Sequence, residues 1–292
     1  MLPPIQVFER AHRVAPLGVR FRDPVTGAII HQGLRLWAWP VLDPSRRTQA
    51  GVNSSGAFYF NDLPGLRNAE FGAGDDPYWA TIVTRQFVVE VQDWQGRFQP
   101  FSLDVDLPHK GILDWALGSP LGSPVTAHSP RPVPLFSTAA RSIPSGNMVI
   151  RAELFDPVAR APAPFAVVDA IIAGEAPARG VADERGRIAI VLPLPKPIDF
   201  ANGGGSPPDG PPLTSQVWTV QLNAFFSRPD PVPAYPNLRV TLSQPAATLW
   251  ANEGRTQPLG TQSLSFGRDL IVRTRRDADA TLLSQLFITP GH

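Results

Sequence analysis

Thr48-Gln49-Ala50-Gly51-Val52-Asn53-Ser54-Ser55-Gly56-Ala57-Phe58-Tyr59-Phe60-Asn61-Asp62-Leu63-Pro64 reads as a strand, a tight polar turn, and a second strand that stops at a proline. Asn53 to Gly56 supply a side chain that can cap its own backbone and a glycine for a positive φ, and Phe58 and Phe60 alternate with smaller neighbours at period two. The same grammar returns at Ala178-Arg179-Gly180-Val181-Ala182-Asp183-Glu184-Arg185-Gly186-Arg187-Ile188-Ala189-Ile190-Val191-Leu192-Pro193. Upstream of each copy lies a second shared signature. Arg22-Asp23-Pro24-Val25 is matched by Phe155-Asp156-Pro157-Val158, a turn with proline in second position. The chain is therefore read as two copies of one unit of about 100 to 130 residues.

Composition agrees with an all-β fold. The 292 residues hold 34 prolines and 24 glycines against 43% hydrophobic residues. That leaves enough apolar surface for real cores, while the prolines oppose long helices and suit short strands joined by stiff turns. A net charge of +1 gives no electrostatic footprint for nucleic acid. Cysteine is absent, which removes disulfides, thiolate chemistry and Cys-based zinc sites. The N-terminal residues lack the apolar core of a signal peptide, and no run reaches the roughly 20 apolar residues of a membrane span. The expectation is a chain made in the cytoplasm without a signal peptide and not inserted in a membrane.

Alternation places strands at 18–22, 34–39, 81–92 and 98–107 in the first copy, and at 149–154, 165–172, 218–222 and 238–242 in the second, the last of these matched to 101–105. The domain reading is an arm over 1–15, a β-sandwich over 16–108, a Pro/Ser-rich connector over 109–146, a second sandwich over 147–275, and a tail over 276–292. The connector reads as extended and semi-rigid, lying on a domain surface through Trp115, Leu135 and Phe136. The tail, from Asp277 to Ile288, reads as a short amphipathic helix or a docking arm.

About seven short strands per unit point to antiparallel β-sandwiches. The sequence strand, Asp-Pro turn, strand, then Gly-Val, polar turn, glycine, alternating strand and Leu-Pro resembles the carboxypeptidase-regulatory-like, transthyretin-like (or immunoglobulin-like) β-sandwich family. The segments that carry the resemblance are Gly51 to Pro64 and Gly180 to Pro193. It implies a folding, spacing or binding module without chemistry of its own.

The inventory of reactive residues agrees with that expectation. His12, His31, His109, His128 and His292 fall in loops or termini at no ligand spacing and read as surface histidines. Gly74-Asp75-Asp76-Pro77 lacks the ordered acidic series of a calcium loop. Asp104 and Asp106 share one face of a strand, where a solvated surface explains them as well as acid–base work does. Gly203-Gly204-Gly205-Ser206 lacks the lysine and helix of a phosphate loop. No catalytic, metal or cofactor site is expected.

Both copies place a long loop after the hairpin, about 65–77 and about 196–214, beyond the roughly 12 residues usual in compact domains. Candidate partner-contact residues are Phe71, Tyr78, Trp79 and Phe200 in and beside these loops, with Leu282, Leu286 and Phe287 in the tail. The functional expectation is a non-enzymatic structural or adaptor subunit of a larger protein assembly. One setting that suits it is a phage-tail-like contractile injection particle, as a cap, baseplate or fibre-attachment part. The alternative is a carbohydrate-binding or adhesion module, with Trp37 and Trp39 as a glycan platform.

Overall fold

A computed structural model describes residues 13–71, 83–116, 130–172, 175–194 and 215–291. The chain divides into two compact units. Unit 1 takes Met1–Asp23, Gly27–Trp94 and Ser102–Pro134, and unit 2 takes Pro24–Thr26, Gln95–Phe101 and Leu135–His292. Strands dominate both, as the proline density and period-two patterning dictate.

Unit 1 runs β1 (Leu17–Val19), β2 (Phe21–Arg22), β3 (Ile29–Ile30), β4 (Leu34–Pro40), β5 (Thr48–Gln49), β6 (Gly51–Val52), β7 (Phe58–Phe60), a single helical turn α1 (Arg67–Glu70), β8 (Arg85–Asp93), β9 (Phe101–Leu107) and β10 (Val133–Pro134). β1, β7 and β6 form one sheet, β10, β2 and β3 a second, and β5, β4, β8 and β9 a third. Alternation sorts the side chains of β4: Leu34, Leu36 and Ala38 are buried, and Arg35, Trp37 and Trp39 take the opposite face. Phe21 meets Phe58 edge-on, with centroids 5.7 Å apart, inside the core.

Unit 2 contains β11 (Asn147–Asp156), β12 (Ala161–Pro162), β13 (Val167–Ile172), β14 (Ala178–Val181), β15 (Arg187–Pro193), β16 (Val217–Phe225), α2 (Leu238–Leu242), β17 (Ala246–Trp250), β18 (Gln262–Ser265), β19 (Leu270–Ile271) and β20 (Leu286–Pro290). They make one ten-stranded sheet system.

The two turns that define the repeat are built from the same bonds. Asn53 Oδ1 accepts the backbone N–H of Ser55 (3.1 Å) and Ala57 (2.9 Å), and Gly56 sits at φ 75°. Asp183 Oδ1 accepts those of Arg185 (2.9 Å) and Arg187 (2.8 Å), and Gly186 sits at φ 76°. The Asp-Pro turns also agree: the fourth residue after each aspartate, Gly27 or Arg160, is left-handed, at φ 72° and 54°. Pairing follows the same plan. β1 with β7 and β2 with β3 in unit 1 correspond to β11 with β15 and β12 in unit 2; β4 with β5 and β8 corresponds to β13 with β14 and β16.

The agreement extends into segments that read from sequence as connector and tail. In unit 1, Gly18 bridges Ile112 in parallel, and β10 runs parallel to β2 with Val133 opposite Phe21. In unit 2, Arg151 lies parallel to Ile271, and β20 runs parallel to β11 with Leu286 opposite Leu154. Each unit thus closes with a strand laid parallel to an opening strand, β2 in unit 1 and β11 in unit 2. The described part of the 109–146 stretch is built into cores: Leu113, Trp115, Val133, Leu135 and Phe136 are buried.

Three local expectations give way. The 238–242 segment is helical because Asn237 caps it, its Oδ1 accepting from the N–H of Arg239 (3.0 Å) and Val240 (3.2 Å). Leu238 and Thr241 are buried and Val240 is exposed, so the burial period is three rather than two. The 277–288 segment forms no helix. Asp279 Oδ1 takes the N–H (3.1 Å) and hydroxyl (2.7 Å) of Thr281, a local bond that competes with helical pairing, and Leu286 and Ile288 then alternate as buried strand residues. His109 is buried rather than superficial. Its backbone N–H donates to Pro16 O at 2.7 Å, which ties this segment to the start of the unit.

That burial holds the His109 imidazole below its ordinary pKa, opposed by a hydrogen bond with the backbone of Ile112. Its Nε2 is buried without a hydrogen-bond partner, so the folded state favours the neutral ring. Stability from this group is complete above the unfolded value of about pH 6.5 and is lost as pH falls from there through the depressed folded value. The expected result is a melting temperature that declines as pH falls from neutrality into this range, before carboxylates begin to titrate. His109→Gln should flatten that part of the profile, as calorimetry over a pH series would show.

Candidate partner-contact site

β4 ends at Pro40, and the chain turns back through Val41 to Arg46, with the Asp43 N–H donating to Pro40 O (3.0 Å) and Ser45 Oγ donating to Asp43 Oδ1 (2.6 Å). The Val41 N–H donates to Gln86 O at 3.0 Å, which ties this turn to the start of β8. Pro64 and Gly65, just past β7, complete the wall. Gly65 is left-handed at φ 76°, and the Arg85 guanidinium lies so close that a Cβ would fall 2.1 Å from it. The left-handed backbone favours glycine there, and a larger residue would also push the Arg85 side chain aside. The result is a hollow of about 550 Å³ with Pro40, Val41, Leu42 and Pro64 as apolar lining and Asp43, Arg46 and Arg85 at hand for polar contacts. Leu42 is 97% exposed, and Val83, one residue before the lining residue Thr84, is 78% exposed. An exposed apolar side chain on a concave wall, as Leu42 is, is what a protein partner covers.

The residues singled out from sequence are distributed differently. Phe71 is exposed at the end of α1, with the Arg13 guanidinium 5.6 Å from its ring centroid. Arg13 also pairs with Asp62 (2.7 Å) and with the buried Glu70 (2.5 Å), so Phe71 stands beside a braced charge cluster. Both of these acids hydrogen-bond Arg13 and hold its pKa above the ordinary value, and Arg13 in turn lowers that of Asp62. Leu282 is exposed in unit 2, in an isolated antiparallel bridge with Arg275. Leu286 is not a contact residue: at 1% exposure it belongs to the core of unit 2, because the strand period points it inward. Phe287 is half-buried on the other side of β20, 5.9 Å from the Phe155 ring. Tyr78, Trp79 and Phe200 lie outside the described residues. Leu42 and Val83 were missed; Val41-Leu42 between two prolines was the available signal, an apolar pair where a turn should be polar.

No family model matches the chain, and no curated protein matches it. Among solved structures, a Streptococcal ancillary pilin is similar at 9% identity and a TM-score of 0.20, covering 94% of this chain; the chain spans 62% of the length of that one. At that TM-score the likeness carries no weight.

Trp37 and Trp39 stand half-buried on the outer face of β4. The Arg47 guanidinium lies 4.3 Å from the Trp39 ring centroid, and Glu90 on the neighbouring strand is 3.5 Å from Arg47. Arg47 thus stacks on the ring that a sugar would need. Asp104 and Asp106 are exposed on β9, with Leu103 and Val105 in the core. Among the described residues no group of three metal-ligating side chains converges.

Proposed function

We propose that the protein is a non-enzymatic structural or adaptor subunit that joins other protein subunits through the hollow beside Leu42, and that its two units are tandem transthyretin-like β-sandwiches. The observation that carries the contact reading is the exposed Leu42 at a preformed wall that also carries Pro40, Val41 and Pro64. Burying one such side chain at a partner surface contributes about 1.5–3 kcal/mol. The sandwich reading is supported by the repeated pairing plan and by the matching turns at Asn53 and Asp183.

The test is the mass of the native species by size exclusion with light scattering, with mass spectrometry of what travels with it. A particle far above 31.6 kDa is expected. Leu42→Asp, which alters an exposed side chain and leaves the core intact, should release the chain from it. A monomer without companions would overturn the assembly reading. It would advance a second one, glycan binding on the outer face of β4, which rests on Trp37 standing away from the core and needs Arg47 to leave the Trp39 ring.

A further inference from the structure

Unit 2 carries a cleft of its own, independent of the contact proposed for unit 1. It encloses about 410 Å³ and is lined by Val158, Arg228, Trp250, Gly254, Arg255, Thr289, Pro290 and Gly291. That volume lies in the range of small-ligand sites. Its walls come from the Asp-Pro turn, from the ends of β17 and β20, and from the loop that follows β17.

Two guanidinium groups line this cleft, and each is set by its surroundings. Arg228 bonds the carboxylate of Asp156, which is fully buried and whose other oxygen accepts the N–H of Val158 (2.9 Å) and Ala159 (3.2 Å). The aspartate holds one end of the arginine through a single Nη2 contact and leaves the other guanidinium N–H groups for a ligand. Arg255 is held at φ 57°, a backbone region that L-residues occupy at a cost. Its loop is braced from both sides. Asn252 Oδ1 accepts the N–H of Thr256 (3.1 Å) and Gln257 (2.9 Å), and Asp277 accepts the Gly254 N–H (2.6 Å) and the Asn252 amide (2.9 Å). Among the described residues the Arg255 guanidinium has no carboxylate partner. A strained arginine on a rigid loop, where glycine would sit without strain, points to a use for its side chain.

The remaining lining fixes the class of ligand. The Trp250 indole is oriented by its N–H bond to Thr289 Oγ1 (3.0 Å), and Pro290 and Val158 extend the apolar wall. Thr289 keeps a hydroxyl proton to donate. An indole suits the C–H face of a pyranose, a threonine hydroxyl suits its ring hydroxyls, and a guanidinium suits a carboxylate.

We infer that this cleft binds a carboxylate-bearing sugar, with Arg255 and Arg228 on the carboxylate and Trp250 against the ring. Saturation-transfer NMR on the full chain with glucuronate, glucose and acetate tests it. The expected result is transfer to glucuronate and none to glucose at the same concentration. Arg255→Gln should weaken glucuronate binding by about tenfold or more, the loss of a charge-assisted contact. Arg255→Gly should abolish the same contact while the melting temperature holds or rises, because the backbone strain is relieved; a merely structural arginine would leave binding unchanged. No transfer to glucuronate, equal transfer to glucose, or binding indifferent to Arg255 would overturn the site. Acetate binding as well as glucuronate would overturn the sugar assignment.

Discussion

Gly186→Ala is expected to destabilise the protein by about 3 kcal/mol or more, and Gly56→Ala by only about 1–2 kcal/mol. Both glycines occupy the same step of the same turn at nearly the same φ, so the left-handed penalty is common to them. The surroundings differ. A Cβ on Gly56 would come 3.1 Å from the imidazole of His31, a side chain that can swing aside. A Cβ on Gly186 would fall 2.2 Å from the carbonyl oxygen of Leu154 and 3.2 Å from the N–H nitrogen of Ala163. Those are backbone atoms in use: the Leu154 N–H donates to Gly186 O at 2.7 Å, and the Ala163 N–H donates to Leu154 O at 3.0 Å. Relieving the clash would break both. Urea denaturation of the two variants against the parent checks the difference; equal losses would show that φ alone decides.

Leu286→Ala is expected to cost about 2–5 kcal/mol, the range for emptying a leucine site in a packed core. Leu286 faces Leu154 across the parallel β11–β20 pair and joins the main apolar cluster of unit 2. Leu282→Ala, four residues earlier at 60% exposure, should change stability by no more than about 0.5 kcal/mol. The same denaturation series reads both. A small effect at Leu286 would mean that the closing strand is peripheral to the fold.

These pairs mark the line between what the sequence discloses and what it withholds. The turns at Asn53 and Asp183 were legible because their chemistry is local: an Asx side chain bonds N–H groups two and four residues on, and a glycine follows in place. The faces of β4 were legible as alternation, though alternation alone left Trp37 and Trp39 undecided between core and surface. The closing strands β10 and β20 were not legible, because what makes them strands is a partner far away in the chain. Val133-Pro134 is too short to show a period, and its prolines imitate a linker. His109 reads as superficial for a similar reason: its backbone is tied to Pro16, far away in the chain. The hollow beside Leu42 depends on segments from β4, β7 and β8 meeting at one end, which no single stretch announces.

The parallel return of β20 also sets an order of events during synthesis. β11 is made early in unit 2, and β20 inserts between β11 and β17. Arg151 and Asp269, 118 positions apart, are joined by an ion pair at 3.1 Å along the same closure. At ribosomal speeds of about 5–20 residues per second, the Leu154–Phe155 edge of β11 waits on the order of ten seconds for its permanent neighbour. An unpaired apolar edge held open that long is a target for association with other nascent chains. The yield of native protein should therefore depend on translation rate and chaperone supply more than on the final stability of the fold.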